Sequence, residues 1–483
     1  MDTAAHCQAY ADLAIGCFGP HGRLKALQAA PNTPASVLTS ISGPLLQGIR
    51  TMHPVQQLLS AGAAQAQHAQ YGDGGLGCLY LAARLTQAAL KESATRAHIY
   101  EACCTLEELS GWIQELLAPG SGAGSGALER VACTSLQHYL ALCRGVLAPK
   151  LACVLEGEEV ERLVGLTAEA FVASLPDAAP GPAAAPAVRV TLHPVRGAAI
   201  DDSCVLPGVV LPVDDVPPEA LEALLASRGA TLVPGDGGAG GDAASAVRVG
   251  VLLLSGGLDT PASLYNTAKA ADVSSGVQVV VEQGSSAAQG DVEEQELQRL
   301  QEALAALLRP AGSVRLVACQ KGIHPGLQEW LLGQGVAPLQ RLGAARLAAL
   351  SLASGCAPLE TLVGSAALAP GQGLCEVSAR VQEVAGSRLL QLVPAPLSGG
   401  RAPPPPAATL VLGCSSDLLC DLVQAAVDAA LRLLRTTLLQ VGDAGGRLLV
   451  LAMGKEFCAD VLPSTYGCRP RPLCPELGAL SGS

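Results

Sequence analysis

The spacing of apolar residues in this 483-residue chain changes twice along its length, and that change restricts the fold more than any single motif does. From residue 1 to about 150 the spacing is helical. His53-Pro54 starts one helix, with Pro where its missing N–H is no loss, and Val55, Leu58, Leu59 and Ala66 fall near one face. A second helix opens after Tyr71-Gly72-Asp73-Gly74-Gly75, with Leu81, Leu85 and Ala88 along its stripe. Between about 200 and 370, β-rich runs at 204–212, 247–254, 277–282 and 314–319 alternate with helical stretches. Residues 314–355 show the pattern best, as strand, Pro325-led helix, strand and helix. A strand at 408–413 and a helix from about 416 to 440 follow. Helical, then α/β, then helical again predicts one domain inserted into another, giving an α/β plus all-α, multidomain fold.

Composition decides what fills the cores and which partners fit. With 12 aromatics (2 Trp, 7 Tyr, 3 Phe) and 49% apolar residues, Leu, Val and Ala must build the interior. A net charge of −12, from 42 acidic and 30 basic residues, argues against nucleic acid as a partner, because phosphate binding needs concentrated positive charge. No stretch approaches eighteen uninterrupted apolar residues and the start has no basic n-region, so we expect a soluble, intracellular protein without a membrane span. The 17 cysteines are an odd number and form no Cys-x-x-Cys pair, which fits neither a zinc ribbon nor a disulfide scaffold. Four runs of low complexity, at 119–126, 176–187, 234–245 and 398–408, have no apolar period and read as spacers.

Two glycine loops could carry chemistry: Gly19-Pro20-His21-Gly22 and Gly72-Asp73-Gly74-Gly75. Glycine lets backbone approach a phosphate, helix N-termini favour anions, and a carboxylate such as Asp73 can hold magnesium against phosphate oxygens. The same residues are also ordinary turn formers, and each loop alone has that plainer reading. The eight histidines show neither His-Glu-x-x-His nor close pairing, so no metal site is assigned to them. Cys319 ends an expected buried strand and reads as packing. The acidic helix from Asp291 to Leu308, with Leu297, Leu300, Leu304 and Leu308 at helical spacing, reads as a core stripe with a solvated end, and as a client-binding face in a minority reading.

The order of the motifs adds more than any one of them. Gly19-Pro20-His21-Gly22-Arg23-Leu24-Lys25, the segment from Leu38 to Ser42, His53-Pro54 and Gly72-Asp73-Gly74 resemble, in order and spacing, the opening of the group II chaperonins. Ile200-Asp201-Asp202-Ser203 before Gly208-Val209-Val210, and Cys319-Gln320-Lys321-Gly322-Ile323, resemble that family's apical segment. The likeness runs from about residue 10 to 440.

The resemblance implies equatorial (helical), intermediate and apical (α/β) domains nested by insertion. Its boundaries would be 1–147 for the first equatorial part, 148–204 and 372–440 for the two intermediate segments, and 205–371 for the apical domain. Residues 441–483 would be a truncated or divergent equatorial remnant. It further implies ATP and magnesium as cofactors, held by Gly19, Pro20, Gly22, Gly72, Asp73 and Gly74, with Asp73 on the metal. Asp428 falls where the family positions water for hydrolysis; its plain reading is a solvated helix carboxylate. Several departures point to a degenerate ATP site with turnover weakened or abolished, so that no more than a residual ATPase is expected: Ile41 stands at the position of a second carboxylate, Leu24 replaces the first loop's Asp, and Gly75 and Leu76 replace two hydroxyls. The implied role is folding or assembly of protein complexes, in particular a ciliary or basal-body coat complex. Implied partners are other chaperonin-like proteins, cytosolic chaperonin subunits and client proteins, at a cytoplasmic, centrosomal or basal-body location. The alternatives are an active ATP-dependent subunit that binds unfolded protein and a nonfunctional truncated product.

Overall fold

The computed structural model describes residues 3–17, 22–28, 37–49, 53–92, 95–117, 135–175, 190–225, 232–233, 246–258, 286–308, 314–360, 362, 372–394 and 407–440. Gly19, Pro20, the run at 277–282, residues 441–483 and nearly all of the four low-complexity runs lie outside them.

The N-terminal part is helical as its spacing predicts, but Leu58, Leu81 and Leu85 of the expected stripes are exposed, so the buried faces are not the ones the spacing points to. Helix α1 (Thr3–Ile15), a small antiparallel pair of β1 (Lys25–Leu27) and β2 (Val37–Thr39), and α2 (Ser42–Gln47) come first. One helical run then goes from α3 (Pro54–Gln57) through a wider π-helical stretch (Leu58–Gln65) into α4 (Ala66–Tyr71), and Pro54 sits at its first position. Helix α5 (Gly75–Glu92) lies on α1, burying Cys7, Tyr10, Ala11 and Ala14 against Leu79 and Ala83. Helix α6 (Arg96–Leu117) packs along α5 and, among the described residues, leaves Tyr100 (72%) and Trp112 (65%) exposed.

A second core joins α7 (Leu136–Leu151) and α8 (Gly157–Ala173) to the last described helix, α13 (Asp417–Gln440), and to a three-stranded sheet. The sheet order is β3 (Val190–Arg196), β12 (Ala408–Cys414) and β4 (Cys204–Pro207), so strands more than 200 residues apart pair in parallel. Strand β12 is buried throughout. Leu410, Leu412 and Cys414 face the helical core, whereas Val411 turns to a smaller cluster with Val210 and Leu389. This is the two-residue period of a strand buried on both faces. Phe171 of α8 stacks on Tyr139 of α7, with ring centroids 6.0 Å apart, so one of the three phenylalanines sits at the centre of an otherwise aliphatic core.

The expected strand at 204–212 is two strands in two sheets. Gly208 divides them with φ of +82°, where an added Cβ would come within 2.3 Å of the Leu392 carbonyl oxygen. Beyond it β5 (Val209–Pro212) enters a larger sheet ordered β5, β11 (Ser387–Pro394), β10 (Leu374–Val384), β7 (Ala246–Leu254), β8 (Val314–Cys319) and β9 (Ala337–Leu339), with β6 (Leu232–Val233) beside β7. The β7–β8–β9 part is parallel; the rest is antiparallel. Val249, Val251 and Leu253 point into one core with β5, α9 (Pro218–Leu225) and α12 (Gly343–Ser354), and Leu252 and Leu254 into another with α10 (Ser286–Leu308) and α11 (Pro325–Gly333). Leu304 is fully buried there with Leu297, Leu300 and Leu308 packed around it, the core stripe that the leucine spacing predicts.

The α/β sheet runs past residue 371, where the sequence reading ends its apical segment. Strands β10 and β11 form a hairpin through Ala385 (φ +53°) and Gly386 (φ +74°), a two-residue turn whose twist suits right-twisted strands. Alternate burial along Leu374–Val384 places the hairpin on β7. Non-local pairing, which a local spacing pattern cannot register, decides this.

Candidate functional site

The Gly72-Asp73-Gly74 loop lies between α4 and α5, and the fold brings α13 directly onto it. Gly72 ends α4 in the left-handed region, with φ of +77°, and an added Cβ would be 2.1 Å from the Ala429 carbonyl oxygen. Only glycine allows both the turn and that approach. Thr436 Oγ1 also donates to the Gln70 carbonyl at 2.8 Å. The loop from the first hundred residues and the helix carrying Asp428 therefore share one surface, although more than 350 positions separate them.

Both carboxylates of this surface have cationic partners. Lys150 Nζ, at the end of α7, lies 3.0 Å from Asp73 Oδ1; its side chain is 12% exposed against 48% for Asp73. Burial is the main influence on this lysine and lowers its proton affinity below the ordinary lysine value, with attraction and a hydrogen bond from Asp73 opposing. Arg432 holds Asp428 one turn away through Nε and a terminal guanidinium nitrogen, each 2.8 Å from Oδ2. His68 sits among these charges. Burial, then Arg432, push its pKa down, Asp428 and Asp73 act in the opposite sense, and Lys150 adds to the depression. Its ring also closes on Gly43, where an added Cβ would lie 2.5 Å from Nε2.

Ile41 is 1% exposed and belongs to the core of α7, α8 and α13, so an apolar side chain fills the position read as a second carboxylate. Leu76 is buried with Cys17 and Leu45, and Gly75 faces Ser42, whose Oγ would be 2.4 Å from an added Cβ. Gly22 is described and half-buried before β1, and Leu24 packs against the α7–α8–α13 core. Among the described residues no group of three His, Cys, Asp or Glu could hold a metal ion. With Asp73 and Asp428 each paired to a cation and Ile41 apolar, the described side chains do not by themselves fit a magnesium ion.

Three participants escaped the sequence reading. Arg432 had a signal, because it stands four residues after Asp428 on a helix. Lys150 and His68 had none, since they meet Asp73 and Asp428 only through the packing of α4, α7 and α13. Cys319 is fully buried and its thiol donates to the Gly256 carbonyl at 3.1 Å, in agreement with a packing role.

A helical layer, a nested α/β insertion, and a Gly-Asp-Gly loop seated on the helix that returns from that insertion define a chaperonin-type chain. The chain matches the TCP-1/cpn60 chaperonin family over residues 11–446 and belongs to it. It is similar to the molecular chaperone MKKS of Homo sapiens, 26% identical over 356 residues, and to that of Mus musculus, 26% identical over 360. Each alignment covers 72% of this chain, but 54% of the human relative and 53% of the mouse one, so the chain spans about half the length of the relatives it matches. MKKS is the McKusick-Kaufman/Bardet-Biedl chaperonin-like protein. The Gly22-Arg23-Leu24-Lys25 loop and the run Cys319 to Pro325 are the segments of this chain that resemble it by sequence motif. No helix among the described residues is long and apolar enough to cross a membrane.

Proposed function

We propose that this chain is a chaperonin-like folding or assembly factor that works by protein contacts, with a degenerate ATP site that does not drive a hydrolytic cycle. The observation that carries this reading is Ile41, buried at 1% exposure where the family's pattern calls for a second carboxylate. An isoleucine there cannot supply the charged ligand that a carboxylate would. The pairing of Asp73 with Lys150 and of Asp428 with Arg432 supports the same reading, since each carboxylate is neutralised within the chain. A charge-assisted hydrogen bond contributes about 1.5 to 3 kcal/mol, and each 1.4 kcal/mol is about tenfold in rate, so losing one such ligand costs roughly ten- to a hundredfold.

Membership of the chaperonin family and the likeness to MKKS support partners among other chaperonin-like proteins and cytosolic chaperonin subunits. By the same likeness the client is a ciliary or basal-body coat complex, at a cytoplasmic, centrosomal location. The test is suppression of aggregation of a chemically unfolded client by the purified chain. We expect equal suppression with magnesium-ATP and with EDTA. Suppression that needs magnesium-ATP, or client release on adding it, would favour the active-subunit reading and overturn this one.

A further inference from the structure

Among the described residues, large apolar side chains left in water are concentrated on α6. Ile99, Tyr100, Leu109, Trp112 and Ile113 are exposed there, against two on α5, Leu81 and Leu85. Their spacing is that of a packing surface. Ile99, Ala102, Leu106, Leu109 and Ile113 follow one another at alternating intervals of three and four residues, the repeat that lays an apolar seam along one side of a helix for a second helix to cover. A helix buried in its own chain closes such positions: Leu79 and Ala83 of α5 are at 0% exposure against α1. On α6, Ala102 and Leu106 are half-buried, but Ile99, Leu109 and Ile113 are 41%, 41% and 48% exposed. No side chain of α6 joins a buried core among the described residues.

The charges of α6 decide which occupant fits. The positions flanking the seam are His98, Thr105 and Trp112 on one side and Cys103 and Ser110 on the other, and none is a carboxylate. Glu101, Glu108 and Glu115, spaced seven apart, share the opposite side of the helix. A basic peptide would find no acid beside the seam, whereas a second α6 meets no like charge there. Along the axis the charge is uneven, with Arg96 in the first turn and Glu107, Glu108 and Glu115 in the second half. A parallel pair would set acid beside acid. In an antiparallel pair each Arg96 end lies toward the Glu115 end of the other copy, and the two helix dipoles oppose.

We propose that α6 is a self-association surface, through which two copies of this chain pair antiparallel along the Ile99–Ile113 seam about a two-fold axis. At 22 residues the helix is roughly 33 Å long, and one helix pair covers less than the about 800 Å² per partner of a standard stable interface. The dimer is therefore reversible, with dissociation in the micromolar range.

The test is sedimentation equilibrium of the folded full chain from about 1 to 100 μM, where a reversible monomer–dimer equilibrium is expected. Ile99→Glu and Ile113→Glu replace exposed side chains, so each should keep the helical circular-dichroism signal. Each should weaken the dimer at least about tenfold, because the two-fold axis places two carboxylates in the apolar seam. Leu352→Glu, at an exposed position on α12, should leave the dimer unchanged. Charge reversal reads the orientation: Arg96→Glu or Glu115→Arg alone should weaken the dimer, and the two together should restore it. A chain that stays monomeric over this range, a dimer indifferent to Ile99→Glu and Ile113→Glu, or a double reversal that restores nothing would overturn the proposal. So would a monomer whose Trp112, in a Trp330→Phe background, is shielded from iodide, since another part of the same chain would then cover the seam. A monomer in which Ile113→Glu reduces suppression of client aggregation would assign the seam to a client and overturn it equally.

Discussion

Replacing Gly72 by alanine is expected to lower the stability of the chain by about 3 kcal/mol. Two costs add: a non-glycine residue in the left-handed region costs roughly 1 to 2 kcal/mol, and forcing a methyl group into a filled contact costs about 1 to 3. The contact is with backbone, since the methyl carbon would be 2.1 Å from the Ala429 carbonyl oxygen, and a main-chain carbonyl inside a helix cannot turn aside as a side chain can. Relief has to come from sliding α13 away from the loop, which also pulls on the Thr436 bond to Gln70. Gly386→Ala is the matched control, because its φ is +74° and nothing lies within 4 Å of an added Cβ. Urea unfolding of both variants separates the terms: Gly386→Ala should lose only the backbone part, about 1 kcal/mol. Equal losses would mean that the loop does not sit on α13 as described.

The second large effect concerns Asp73 and Lys150, and it is asymmetric. Asp73→Ala leaves a lysine that is 12% exposed without its counter-ion, at a cost on the order of 2 kcal/mol, below the 3 to 5 of fully buried pairs because the partner carboxylate reaches solvent. Lys150→Met keeps the aliphatic stem and returns Asp73 to water, so we expect a change near zero. The pH dependence has a definite sign. The pKa of Lys150 is lower in the folded chain than in the unfolded one, with burial as the chief cause, so the unfolded chain binds more protons between the two values. Stability contributed by this group therefore rises with pH through that window, up to the ordinary lysine value, and the rise should steepen in Asp73→Ala and vanish in Lys150→Met. Unfolding midpoints at several alkaline pH values check this. A stability that falls with pH in Asp73→Ala but not in Lys150→Met would contradict the direction assigned to the lysine.

Local pattern made much of this fold legible. The strands at 247–254, 314–319 and 408–413 and the helices after Pro54, Gly75 and Asp417 follow from spacing, β-branched content and the placing of Pro and Gly, because these elements bury one face or two against neighbours of ordinary kind. The split at Gly208 was not legible, since a run of Val, Leu and Pro has the same composition whether it serves one sheet or two. The β10–β11 hairpin escaped for a related reason: its place in the larger sheet depends on register with β7, more than 120 residues earlier. At the candidate site the order of the glycine loops could be read, and so could the apolar residue at position 41. The cations that answer Asp73 and Asp428 could not be read as a set, because one comes from α7 and the other from α13, and only packing brings them to the loop.

Magnesium-dependent ATP hydrolysis by the purified chain, shown to be folded by circular dichroism and gel filtration, tests the central claim most directly. We predict turnover indistinguishable from the buffer background, with Asp428→Ala leaving that value unchanged. Turnover above background that requires magnesium and is abolished by Asp428→Ala would show a working hydrolytic site and contradict the account.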